Sequence, residues 1–424
     1  MELFLVFLLL IVLILLGSEL FMVIGGLSLL LFYLYLDIPM FSVIKTIFDT
    51  INKPALLAIP LYIFAGAVMA RGEIAKRLID LALASFGWMK GGLAIAGVLA
   101  CMFFAAISGS SPVTLVAIGS ILYPALLKHN YPDKISVGVL TTAGSLGILI
   151  PPSIPMIVFS IATGADVNKL FIAGIIPGIV AGILLIILSL YYGVRHNLDT
   201  QPFSRRELFV SLRKSIPALI MPLIVLGGIY SGIYTVTEAA SVAAVYAIII
   251  EMFLYRQLKL NELIDMIHES VIILGTIFII IAMATVFNNF LTLQDVPFML
   301  VEFLEKIINS QTVFILITIL ILLIVGLFMD IISAILICAP LLLPTARLYE
   351  VDMIHLGIIF ILALEIGYLT PPVGINLFVS CSLFNKPFSK VIVWTLPFMI
   401  CLLVTLVAVA FLPDISLFLT NFLE

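Results

Sequence analysis

The sequence predicts an all-α polytopic membrane protein made of two inverted repeats, each with a re-entrant helical hairpin and a discontinuous helix. Three observations lead there. The 424 residues are 63% hydrophobic and only 10% charged, with a mean hydropathy of +1.33, whereas soluble domains carry about 25% charged residues. Two Pro-Pro pairs, Pro151-Pro152 and Pro371-Pro372, sit 220 residues apart inside apolar segments. Their surroundings recur at that offset: Gly147 with Gly367, Leu149 with Leu369, Ser160 with Ser380, Leu122 with Leu342 and Pro124 with Pro344. Finally, Lys and Arg are distributed so that the two copies enter the membrane from opposite faces.

The elements follow from apolar runs of roughly 20 residues, the length that crosses a bilayer. Residues 3–36 are almost wholly apolar around Gly17-Ser18-Glu19 and form either two short spans or one long tilted helix; two are favoured. The start lacks a basic segment and a small-residue cleavage site, which reads as a retained span. A span over 54–70 ends at Arg71-Gly72-Glu73, and an amphipathic stretch runs on to about Lys90. Residues 91–127 are apolar but hold Ser108-Gly109-Ser110-Ser111-Pro112 at their middle, which suits a hairpin entering and leaving by one side. A span over 134–162 breaks at Pro151-Pro152, and 169–194 form a long span. The loop 195–215 is the most polar, and spans over 216–232, 235–255 and 270–290 follow it. A short amphipathic piece covers 294–309. A second hairpin over 312–348 turns at Met329-Asp330-Ile331-Ile332-Ser333, the span 354–383 breaks at Pro371-Pro372, and the last covers 389–412.

The 195–215 loop carries five basic residues, Arg195, Arg205, Arg206, Arg213 and Lys214, and is therefore cytoplasmic. Counted from it, Arg71, Lys76, Arg77, Lys90, Lys128, Lys134, Arg256, Lys259, Lys386 and Lys390 fall on the same side. The acidic end with Asp414 and Glu424 falls outside. Five predicted crossings, an odd number, separate the hairpins, so they enter from opposite faces. Inverted repeats with matched helix breaks place a substrate and ion site near the membrane midplane.

The chemistry sits at those breaks. A proline removes a backbone donor and interrupts a helix. Broken backbone at membrane depth is tolerated only where protein buries it or water reaches it. The segment 106–114, AISGSSPVT, gathers hydroxyls at a turn, although such hydroxyls also bond back to carbonyls or make a small-residue seam. In 144–160, Pro151, Pro152 and Pro155 free carbonyls for a cation, and the helix restarting after them offers N–H groups to a carboxylate. Asp330 is costly at membrane depth and lies at the second tip between Gly326 and Ser333. Residues 368–378, YLTPPVGINLF, supply Thr370 and Asn376, whose amide both donates and accepts. Glu365 fits a structural hydrogen bond as well as a functional one, and Glu238 in TVTEAAS fits helix capping.

Other classes are weakly supported. The dipeptide Gly-Lys is absent, which removes a phosphate-binding loop of the P-loop type. Cys101, Cys338, Cys381 and Cys401 lie in apolar stretches without a CxxC pair and read as small buried hydrophobes. His129, His196, His268 and His355 are scattered, no nucleophile–base arrangement is evident, and no basic tract suggests nucleic acid. The chain does not read as an enzyme.

The segments SGSSPVT (108–114), GSLGILIPPS (144–153), GIYTVTEAAS (232–241), FMDIISA (328–334) and LTPPVGINLF (369–378) together resemble the large membrane subunit of a TRAP transporter, the tripartite ATP-independent periplasmic class with DctM-like permeases. The resemblance covers nearly the whole chain. It implies an elevator-type ion-transporter fold in the inner membrane, with a C-terminus on the periplasmic side. It also implies a small four-helix membrane subunit and a periplasmic substrate-binding protein as partners. The implied activity is sodium-coupled uptake of an organic acid such as a dicarboxylate, sialic acid or a sugar acid, with Na+ as coupling ion and no organic cofactor. A stand-alone sodium-coupled carboxylate carrier of related fold is the alternative.

Carried onto this sequence, the resemblance implies scaffold and arm helices over 1–90 and 169–311. Transport-domain halves would cover 91–168 and 312–388, with a C-terminal helix over 389–424. A first sodium site would involve Ser108, Gly109, Ser110, Ser111, Gly144, Ser145 and Pro151. A second would involve Gly326, Met329, Asp330, Gly367, Thr370 and Pro371. Substrate would lie near Ser111, Ser153, Asn376 and Ser380. The second tip, IISAI, is more apolar than SGSSP, so the two sites are not expected to offer equal ligands.

Overall fold

The computed structural model describes residues 20–35 and 40–422. Every regular element among them is helical. Helices satisfy their own backbone groups, which an apolar surrounding requires. Eight are long and apolar enough to cross a membrane, and a ninth span forms if Asp133–Leu149 and Ile154–Thr163, bent by 41°, count as one. Of the two spans expected within 3–36, the second corresponds to helix Leu20–Tyr35. The first lies outside the described residues.

Polar side chains set where the helices begin. Ser204 accepts the Glu207 N–H, Ser310 that of Val313, and Asp352 those of Ile354 and His355. Thr235 and Glu238 form a reciprocal capping box. Each such oxygen satisfies a donor left free in the first helical turn.

Two expected boundaries shift. Helix Arg205–Tyr230 starts well before 216, so Arg205, Arg206, Arg213 and Lys214 stand on its first turns and not in a loop. Leu260–Leu293 is one helix of 34 residues where a span over 270–290 was expected. Its polar first turns carry Glu269, whose carboxylate meets Arg71 Nη2 at 2.5 Å. Val236–Ile249 passes into a π-helical turn, Ile250–Leu254. The buried Glu251 there accepts the Glu73 and Ile74 N–H groups at 2.9 and 2.8 Å, clasping the corner at Gly72.

The two repeats keep their spacing. The first hairpin is Gly92–Ser108 with Ser111–Lys128; the second is Gln311–Gly326 with Ile331–Leu348. Ser111 to Ile331 and Asp133 to Met353 are the same 220-residue step. The broken helices are Asp133–Leu149 with Ile154–Thr163, and Met353–Tyr368 with Ile375–Phe384. Their far halves cross over: Ile154–Thr163 packs on Ile331–Leu348, and Ile375–Phe384 packs on Ser111–Lys128. This interlock makes the four elements one packed body. Ala58–Arg71 packs on Val236–Ile249, and Leu260–Leu293 on Leu20–Tyr35 and Met40–Ile51. A tie at one end of the body joins three segments: Lys386 Nζ reaches Asp133 Oδ2 at 2.7 Å, and Tyr123 donates to Asp133 Oδ1 at 2.7 Å.

Candidate functional site

Each break meets the tip of its own hairpin. In the first half, Gly109 turns the chain with φ 61°, a left-handed value that favours glycine. Its carbonyl accepts the Ile154 N–H at 3.2 Å, just past the break. A Cβ on Gly147 would lie 2.5 Å from the Ser110 carbonyl oxygen and 2.6 Å from Thr114 Oγ1, so only glycine lets the strands of backbone close up. Gly144 likewise lies against Leu115. Ser108 Oγ lies 2.7 Å from Thr114 Oγ1, which donates to the Ser110 carbonyl at 2.9 Å. Ser108, the Ser110 carbonyl and Thr114 thus gather oxygens of the kind a hard cation prefers. Ser108, Ser111, Gly144, Ser145 and Pro151 are buried.

In the second half, a Cβ on Gly367 would lie 2.6 Å from the Gly326 backbone. The Leu327 carbonyl accepts the Val373 N–H at 3.3 Å, the counterpart of the Gly109–Ile154 bond. Asp330 caps Ile331–Leu348 by accepting the Ser333 N–H at 3.0 Å, and the Ser333 hydroxyl donates to its other oxygen. The Tyr368 hydroxyl receives the Ile331 N–H at 3.0 Å. Thr370 donates to the Ile366 carbonyl at 2.7 Å, and Met329 is half-buried beside the tip. Both Pro-Pro bonds are cis. They differ in exposure: Pro151 and Pro152 are buried, whereas Pro371, Pro372 and Val373 are exposed.

Between the tips lies a cavity of about 260 Å³. Gly109, Ser110 and Ser111 line it from the first hairpin, Ile331 and Ile332 from the second, and Tyr368 from below the second break. Three helix N-termini, at Ser111, Ile154 and Ile331, reach it. Such ends carry a partial positive charge; at Ile331 and Ile154 the leading N–H groups are already bonded, to Tyr368, Asp330 and the Gly109 carbonyl. Of the four residues expected near substrate, Ser111 is on the wall. Ser153, Asn376 and Ser380 are buried and stand off it. Ser153 caps Ile154–Thr163 through the Met156 N–H, and Ser380 pairs with Thr141 at 2.7 Å.

Asn376 serves a different cluster. Its Nδ2 donates to Glu365 Oε1 at 2.8 Å and lies 2.5 Å from Ser111 Oγ and 3.4 Å from Ser145 Oγ. Ser111 Oγ also donates to Glu365 Oε1, at 2.8 Å. Glu365 Oε2 and Asn376 Oδ1 are buried and have no hydrogen-bond partner among the described residues. Sequence reasoning weighed Glu365 evenly and left Thr114 and Tyr368 out of the site. One signal was available: Glu365 stands 220 residues after Ser145, the same place in the other repeat. Among the described residues, no three His, Cys, Asp or Glu side chains gather as a metal-binding group. The oxygens at the tips come from hydroxyls, carbonyls and single carboxyls.

Comparison with known proteins identifies the family. The family described as "Tripartite ATP-independent periplasmic transporter, DctM component" matches residues 7–415. The C4-dicarboxylate TRAP transporter large permease protein DctM of Pseudomonas aeruginosa is 43% identical over 89% of this chain and 88% of its own length. The ectoine TRAP transporter large permease TeaC of Halomonas elongata is 33% identical over 95% of this chain and 92% of its own. An isethionate TRAP permease, DctMQ of Oleidesulfovibrio alaskensis, is 36% identical over 90% of this chain and 60% of its own length. The YdaH transporter of Alcanivorax borkumensis superposes with a TM-score of 0.61 at 14% identity, covering 88% of each chain, a likeness of fold. Motifs, repeat geometry and these relatives converge: the chain is a multi-pass membrane protein of the DctM family, the large permease component of the tripartite ATP-independent periplasmic transporters.

Proposed function

We propose that this permease takes up a small organic anion across the inner membrane, driven by sodium, and that C4-dicarboxylates are its leading substrates. The observation that carries the reading is the cavity between the tips, reached by the helix N-termini at Ser111, Ile154 and Ile331. The partial positive charge of such ends suits the carboxylates of a short diacid. Permeases named for C4-dicarboxylates are among the most similar relatives, at 43% and 40% identity. The names of other relatives include ectoine and isethionate, so the shared fold alone does not set the cargo.

Sodium would be held at each tip, by Ser108, Gly109, Ser110, Ser111, Gly144, Ser145 and Pro151 in the first half. In the second half it would be held by Gly326, Met329, Asp330, Gly367, Thr370 and Pro371. The matched glycines support this, because they let the backbone of each tip pack directly against that of its break. Each net positive charge carried inward across 100 mV gains about 2.3 kcal/mol, so sodium ions in excess over substrate charge would drive accumulation. The interlocked hairpins and broken helices would move as one body against the remaining helices, an elevator motion. A small membrane subunit and a periplasmic binding protein would complete the tripartite assembly, with the C-terminus on the periplasmic side.

Uptake of labelled succinate into proteoliposomes tests the reading. It should require an inward sodium gradient, the small subunit and the binding protein together. Unchanged uptake after the sodium gradient is collapsed refutes the coupling, and full uptake by this chain alone supports a stand-alone carrier.

A further inference from the structure

We infer that Glu365 is the positioning residue through which the two ion sites act on each other; this rests on the reading that sodium is held at both tips. Glu365 stands on Met353–Tyr368, two residues before Gly367, whose backbone lies against Gly326 in the second half. Its carboxyl does not turn to its own hairpin. Oε1 accepts from Ser111 Oγ at 2.8 Å, across 254 positions of sequence, and Ser111 begins the second arm of the first hairpin. Asn376, on the far half of the second broken helix, donates to the same Oε1 and also meets Ser111 and Ser145. One buried oxygen therefore holds the first tip, the first break and both halves of the second broken helix in register.

Glu365 is 3% exposed, and Asn376 and Ser111 are fully buried. A displaced donor would not be replaced by water. Stranding a buried carboxyl oxygen costs about 1–3 kcal/mol, and more when charge is involved. Any shift of Ser111 as the first site fills or empties is therefore resisted by Glu365, and so by the helix that carries Gly367. That is a coupling free energy between sites, which acts equally in both directions. Two acceptors, Glu365 Oε2 and Asn376 Oδ1, remain without a partner among the described residues. The cluster thus has unused capacity, unlike a knot that serves packing alone. In the other repeat the equivalent place holds Ser145, so the coupling runs through one carboxyl.

The test is sodium activation of uptake by the full assembly in proteoliposomes. The native protein is expected to show a Hill coefficient for sodium clearly above one. Glu365→Gln, checked for monodispersity and melting temperature, should bring it to about one and raise the half-activating sodium concentration about fivefold or more. A well-folded Glu365→Gln protein with the native Hill coefficient overturns the inference while leaving sodium coupling intact. A native protein indifferent to sodium overturns both. A second measurement needs no Glu365 variant. A cysteine at Val373, beside the exposed second break, should be shielded from a thiol reagent by sodium. Ser111→Ala, although in the opposite repeat, should weaken that shielding about fivefold in sodium concentration. Unaltered shielding overturns the inference.

Discussion

Gly326 and Gly367 face each other so closely that a Cβ on Gly367 would lie 2.6 Å from the Gly326 backbone. The obstacle is main chain, which cannot swing aside like a side chain. Gly367→Ala should therefore cost about 1–3 kcal/mol of stability by overpacking and reduce uptake to near background. Gly227→Ala serves as its contrast, because nothing lies within 4 Å of a Cβ there. That substitution should leave uptake unchanged and hold or raise the melting temperature, since alanine favours a helix over glycine by about 1 kcal/mol. Thermal melts and uptake assays on both variants decide the point.

Asp330 has two separable roles. It caps Ile331–Leu348 through the Ser333 N–H, and it is the carboxylate at the second tip. Asparagine caps a helix about as well as aspartate. Asp330→Asn should therefore keep most of the cap, at a stability cost of no more than about 1 kcal/mol, yet strongly weaken sodium activation. Native sodium activation in this variant would take Asp330 out of the ion site.

Tyr368 holds the second tip by accepting the Ile331 N–H at 3.0 Å. Tyr368→Phe leaves that buried donor without a partner, at a cost of about 1–3 kcal/mol. The expected result is a lower melting temperature and weaker apparent substrate affinity, because the same helix end opens onto the cavity. Uptake at varied substrate concentration reads the affinity directly.

The Lys386–Asp133 tie is a test of pH dependence. The hydrogen bond to Asp133 holds the Lys386 ammonium above the ordinary lysine range. A raised lysine pKa stabilises the fold below the unfolded value, and that contribution is lost as pH rises through the folded one. The loss therefore falls above about pH 10, and uptake near neutrality should not titrate with Lys386. Both side chains are partly exposed, so Lys386→Met should cost no more than about 1 kcal/mol, measurable as a small drop in melting temperature that high salt diminishes.

Local chemistry made much of this legible. Pro151-Pro152, Pro371-Pro372 and the polar turns at Ser108–Pro112 and Met329–Ser333 interrupt apolar runs, and the structure breaks its helices at those places. Boundaries failed where polar residues continue a helix beyond its apolar stretch, as at Asp265, His268 and Glu269 of Leu260–Leu293 or Arg205 to Lys214 of Arg205–Tyr230. Sequence reads such charges as loop, but a helix end can carry them outside the apolar layer. The Ser111–Glu365 and Thr141–Ser380 bonds were beyond reach for another reason. They join residues whose nearness depends on the crossing of the two repeats, which no local pattern encodes.

Under the elevator motion proposed above, the unequal burial of the two Pro-Pro breaks bears on how the protein would alternate. In a pair of repeats related by inversion, the opposite-facing arrangement is reached when the halves trade surroundings. The shape around Pro371 to Val373 is then a template for the first break after the stroke, and the burial of Pro151 to Ser153 foretells that of the second. With the four native cysteines replaced, a cysteine at position 153 should be closed to reagents while one at position 373 is open. Locking the transporter the other way should reverse that order. On that proposal, each half of the chain carries the form its counterpart would take in the second state.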